Sequence, residues 1–163
     1  MRLWLVRHAV AVERIPNGLE DADRKLTPKG RRHFKALARL LAASGNVPDL
    51  IITSPLVRAV QTTEILRHEA GLKKKHVRVE KFASPGMDAR RLVRALRNLE
   101  AETVAVVGHE PDMSAVAKQM LSGGRLLFGK GHIACIEFED GPTLKSGHLA
   151  WFLGTQLGRK KKN

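Results

Sequence analysis

The stretch Leu3-Trp4-Leu5-Val6-Arg7-His8-Ala9 decides the fold: four apolar residues run without polar interruption into an arginine and a histidine. So short a run, with Arg2 on one side and Arg7 on the other, suits a strand buried on both faces. Leu50–Thr53 and Thr103–Val107 have the same character, and Val77–Glu80 is a weaker candidate. Helical patterns stand between these runs. Thr27-Pro28 sets a capping hydroxyl before a proline at the first helical position, and Phe34, Leu37, Leu40 and Leu41 then recur on one face. Ser54-Pro55 repeats that start for a helix reaching about Glu69. Ser84-Pro85 is expected to open a third helix, with Arg90, Arg91, Arg94 and Arg97 interleaved among Leu92, Val93, Leu96 and Leu99. Asp112 is expected to cap a fourth that ends near Leu121.

The order β-α-β-α-β-α-β-α predicts an α/β fold, a three-layer α/β/α sandwich around a mostly parallel sheet. Ile133–Glu139 and Leu149–Leu153, separated by Asp140-Gly141-Pro142 and Ser146-Gly147, read as an antiparallel pair closing the same sheet. No repeat or low-complexity linker divides the chain. One domain over residues 1–158 is expected, with a basic tail at 159–163 carrying Arg159, Lys160, Lys161 and Lys162.

In open parallel sheets the ligand lies beyond the carboxyl ends of the strands, so the residues directly after each strand are the candidate site. Strand one ends in Arg7-His8. Strand two leads to Thr53-Ser54-Pro55, with Arg58 in the first turn of the next helix, and strand four ends in Gly108-His109-Glu110-Pro111. Parallel pairing would bring two arginines and two histidines to one edge. Guanidinium forks match phosphate oxygens and stay charged at any physiological pH, and helix N-termini add unpaired N–H groups there. A neutral His8 could attack phosphorus, and His109 could stabilise the oxygens in flight.

The ordered set Val6-Arg7-His8-Ala9, Leu26-Thr27-Pro28-Lys29-Gly30, Thr53-Ser54-Pro55-Leu56-Val57-Arg58-Ala59-Val60-Gln61-Thr62 and Val107-Gly108-His109-Glu110-Pro111 resembles the histidine phosphatase superfamily. More closely it is similar to the small SixA-type phosphohistidine phosphatase branch. The resemblance implies a phosphatase that needs no metal or other cofactor, in which His8 is the phosphorylated nucleophile and Arg7, Arg58 and His109 hold the phosphoryl group. It implies a substrate-binding role for Arg24. Its implied partner is a phosphorylated protein, a phosphocarrier or phosphorelay histidine. Ala9 stands where the superfamily motif has glycine. Glu110 is the candidate general acid, by likeness to the acidic residue after the second histidine in the acid phosphatase branch, with Asp21 and Asp23 as loop alternatives. Imidazole, with a pKa of ~6.5, leaves far more readily than an alkoxide, so a phosphohistidine substrate makes a strong acid less necessary.

Composition bounds the competing classes. A net charge of +13 on 163 residues calls for anionic partners, and phosphate answers it. Seven aromatic residues and no tyrosine offer few stacking platforms, which speaks against nucleic acid. A non-catalytic polyanion-binding module and a phosphatase for small phosphoesters or polyphosphate stand as the alternatives. No apolar run is long enough for a membrane span, Leu3–Val6 is too short for the core of a signal peptide, and one cysteine, Cys135, suits a reducing compartment. A cytoplasmic protein is expected. The segment from Gly124 to Gly131 imitates a phosphate-binding P-loop but lacks Ser or Thr after Lys130 and opens no helix. Cys135 reads as a packed strand residue. His33, His68, His76, His132 and His148 carry no motif context and read as core or surface residues.

Overall fold

The computed structural model describes residues 1–13 and 20–157, so the basic tail lies outside the described residues. Six strands form one sheet in the order β3-β2-β4-β1-β5-β6. Its parallel part is β1 (Arg2–Arg7), β2 (Leu50–Thr53), β3 (Val77–Val79) and β4 (Thr103–Gly108). β5 (Ile133–Glu137) lies antiparallel on the free side of β1, and β6 (His148–Leu153) pairs antiparallel with β5. The predicted sandwich and its closing strand pair are what the chain adopts.

The uninterrupted apolar strands follow from burial on both faces. Successive side chains of β1 enter opposite cores, because the period along a strand is two. Leu3 and Leu5 join Ile52, Val104, Val106 and Ile136 beneath α3 (Ala89–Arg97) and α4 (Asp112–Met120). Trp4 and Val6 join Ile51, Val107 and Ile133 beneath α1 (Pro28–Ala43) and α2 (Val57–Glu69). Trp4 also meets Trp151 of β6 edge to face, with centroids 5.0 Å apart.

Thr27 caps α1 as expected, its hydroxyl accepting from Gly30 N–H. The buried stripe of α1 is Phe34, Leu37, Ala38 and Leu41, whereas Leu40 is 45% exposed. Three helix starts differ from the sequence reading. Leu56, not Ser54, occupies the N-cap of α2, because Ser54 is fully buried and its hydroxyl is engaged by His109. Asp88, not Ser84, caps α3, its carboxylate accepting from Arg91 N–H at 2.9 Å. Asp112 is the first residue of α4 rather than its cap, and its carboxylate accepts instead from Gly86 N–H at 2.8 Å. No helix among the described residues is long and apolar enough to cross a membrane.

Candidate active site

β4 lies between β1 and β2, so the three predicted strand ends become neighbours. His8 N–H donates to Gly108 O at 3.0 Å, and Ser54 N–H donates to Val107 O at 3.0 Å. These main-chain bonds bring Arg7-His8, Ser54 with Arg58, and His109-Glu110 to one edge.

His8 is only 6% exposed. Its Nδ1 lies 2.7 Å from Ala9 O, and a carbonyl only accepts, so the proton sits on Nδ1 and Nε2 carries the lone pair. Arg58 Nε approaches that Nε2 at 3.2 Å. Burial, with His109, Arg58 and Arg7 adding to it against the Ala9 hydrogen bond, pushes the His8 pKa down to about 3. The imidazole is therefore neutral, as a nucleophile must be. Thr62 in α2 braces it, its hydroxyl accepting from Ala9 N–H and donating to Arg58 O.

His109 is buried, its ring centroid 5.2 Å from that of His8. Nε2 meets the Ser54 hydroxyl at 2.9 Å, while Nδ1 is buried without a partner. Burial first, and Arg58 second, lower its pKa to about 4. The Arg7 guanidinium donates from Nη1 to Phe128 O at 2.6 Å, and its buried Nε has no partner. Arg58 is 5% exposed and spends Nη1 on Asp21 O and Nη2 on Asp21 Oδ2, the latter at 2.9 Å. Arg24 donates to Val12 O and to Asp21 Oδ1, so Asp21 bridges two arginines. The hydrogen bond from Arg24, and then that from Arg58, hold its carboxyl below the usual aspartate range.

Glu110 accepts from three donors: Ser114 Oγ at 2.5 Å, Ser114 N–H at 3.2 Å and Phe128 N–H at 3.1 Å. Asp23 is exposed beside Arg24. Cys135 packs in β5, where burial pushes its thiol up to about 11, in keeping with a core residue. Among the described residues no three His, Cys, Asp or Glu side chains are grouped to hold a metal ion.

The sequence reading passed over two contributors. His132, which in sequence reads as a core or surface residue, joins the site: its carbonyl accepts from Arg7 N–H, its ring meets Phe152 edge to face, and burial and Arg7 lower its pKa. Val6 pairs with Ile133, so an antiparallel β5 begins at the edge where β1 ends. That pairing, had it been known, would have located His132. The P-loop imitation opens no helix, but Phe128 within it reaches Arg7 and Glu110 through its main chain.

A family model of the histidine phosphatase superfamily (branch 1) matches residues 3–82. The chain is 36% identical over 127 residues to an uncharacterized protein of Picosynechococcus sp., covering 76% of this chain and 74% of that one. A structure of the protein histidine phosphatase SixA complexed with tungstate superposes with a TM-score of 0.83 at 21% identity, over 98% of this chain and 100% of that one. An Agrobacterium tumefaciens structure, of a protein proposed as a phosphohistidine phosphatase SixA, gives 0.76 at 26% identity over 94% and 97%.

Proposed function

The chain belongs to the histidine phosphatase superfamily, and from that premise we propose that it removes phosphate from phosphohistidine in a protein, through a phosphorylated His8. The observation that carries this reading is the tautomer of His8. Its proton is held by Ala9 O, and its lone pair on Nε2 stands beside the Arg58 guanidinium.

A phosphoryl dianion beside His8 meets Arg7, Arg58 and the unpartnered Nδ1 of His109. It competes with Asp21 for Arg58, and behind Asp21 stands Arg24. Nε2 of His8 forms a bond to phosphorus as the bond to the substrate nitrogen breaks, and the substrate ring, already protonated on its other nitrogen, departs as neutral imidazole. Water then attacks phospho-His8, releasing phosphate and restoring the neutral ring. The two arginines stabilise the charge spread over the equatorial oxygens, which is most of what phosphoryl transfer demands of a protein.

Two candidate acids are already committed, Glu110 to three donors and Asp21 to two arginines. A site with its carboxylates so engaged suits a leaving group that departs with little help. Imidazole, at a pKa of ~6.5, is such a group and a sugar alkoxide is not.

The test is hydrolysis of a phosphohistidine-bearing phosphocarrier protein and of a panel of small phosphoesters and polyphosphate, by wild type and His8→Ala, with and without chelator. Wild type should favour the phosphoprotein and ignore the chelator, and His8→Ala should lose at least about 10⁴-fold in turnover. Faster hydrolysis of small esters would transfer the substrate assignment to them. Wild-type turnover by His8→Ala would remove the covalent intermediate.

A further inference from the structure

The Arg7 guanidinium is anchored on main chain rather than on a side chain, and its anchor is distant in sequence. The acceptor, Phe128 O, lies 121 residues away in sequence. It belongs to the segment between α4 and β5. That segment grips the nucleophile strand at further points: Gly131 N–H donates to Arg7 O and His8 O, and Arg7 N–H donates to His132 O. Gly131 is at φ +79°, and a side chain there would meet Thr155 Cγ2 at 2.7 Å, so this close approach requires glycine.

What ties the segment to the rest of the site is Glu110. Its Oε1 accepts from Phe128 N–H, while Ser114 of α4 donates to both carboxylate oxygens. A continuous chain of hydrogen bonds therefore runs from α4 through Ser114 and Glu110 to the main chain of Phe128, and from there to the Arg7 fork. The Phe128 side chain is buried against Phe152, with centroids 5.1 Å apart, so the segment has little freedom once Glu110 holds it.

We infer that Glu110 is a positioning residue, which aims Arg7 at the phosphoryl group through Phe128, and not the donor of a proton to the leaving group. This rests on the reading of Arg7 as a phosphoryl ligand. With its oxygens occupied by Ser114 and Phe128, Glu110 is built into the wall of the site. Misdirecting one guanidinium by about 1 Å costs on the order of 10²-fold in rate.

The experiment uses the full chain, a series of aryl phosphates from nitrophenyl to phenyl, and orthovanadate binding measured by calorimetry. Glu110→Ala should lower kcat/KM by the same factor, about 10²-fold, across the whole series, leaving the dependence on leaving group unchanged. It should weaken orthovanadate by a similar factor. Glu110→Gln should recover most of both, because its amide oxygen can still accept from Phe128 N–H. In an Arg7→Ala background, Glu110→Ala should cost almost nothing more, since residues acting as a unit are non-additive. A loss that grows as the leaving group becomes poorer, with Gln no better than Ala, would make Glu110 the acid and overturn the inference. Losses that multiply in the double variant would overturn it too, by giving Glu110 a role independent of Arg7. Orthovanadate binding reads Arg7 even if phosphohistidine is not the substrate, so the two readings fail separately.

Discussion

At the scale of single residues, the buried histidines make the site sensitive to acid in a direction that can be worked out. Burial lowers the pKa of His8 to about 3 and that of His109 to about 4 in the folded chain, against ~6.5 when unfolded. The unfolded state binds their protons first, so stability is full above the unfolded value and is lost as pH falls from about 6.5 toward the folded values. Each group contributes at most about 1.4 kcal/mol per pH unit within that window. Urea unfolding at about pH 7.5 and about pH 4.5 should show a clear loss for wild type and a smaller one for His8→Asn, which no longer titrates. A His8→Asn chain as acid-sensitive as wild type would place the sensitivity elsewhere. Arg7, His8, Arg58 and His109 were legible as candidates because each stands at the end of a strand or shortly after one, and the apolar pattern of those strands is local. The fate of Glu110 was not, because its partners Ser114 and Phe128 lie on a helix and a loop that sequence spacing does not bring together.

At the scale of elements, the segment Leu26–Gly30 has a reason beyond capping α1. Val10, two residues after His8, accepts from Thr27 N–H, and a methyl on Gly30 would come within 3.0 Å of both the Val10 carbonyl carbon and its Cβ. Gly30 is therefore the surface on which the chain after His8 rests. Gly30→Ala should destabilise by about 1–3 kcal/mol through this overpacking and lower turnover as Val10 shifts. Exposed Lys29→Ala, one residue away, should stay within about 0.5 kcal/mol in the same denaturation measurement. The helix starts show where local reading stops. Ser54-Pro55 and Ser84-Pro85 look alike in sequence, yet neither caps its helix. Ser54 is drawn to His109 across the sheet, and Asp88 offers a better-placed carboxylate for α3.

At the scale of the whole molecule, the net charge of +13 has two parts. Arg7 and Arg58 lie at the strand-end edge, with Arg24 behind Asp21, while Lys25, Lys29, Arg125 and Lys130 are exposed to solvent. A field of this sign accelerates encounter with an acidic protein more than with a small ester, because many charges act together. Raising ionic strength from about 0.05 M to about 0.3 M should therefore slow kcat/KM on an acidic phosphoprotein by about 10-fold and on a small aryl phosphate by much less. Equal salt dependence for both would mean that the surface charge serves solubility alone.

The sequence by itself determined the class of fold and the list of chemically capable residues. Uninterrupted apolar strands, the Thr27 cap of α1 and the residues that follow each strand are consequences of local periodicity and backbone chemistry. Only the tertiary structure decided the strand order, with β4 between β1 and β2, and the antiparallel entry of β5 beside β1. Those pairings come from burying both sheet faces at once, a non-local condition. They bring Phe128 and His132 to Arg7, and they turn Glu110 from a candidate acid beside a histidine into part of the wall that holds an arginine.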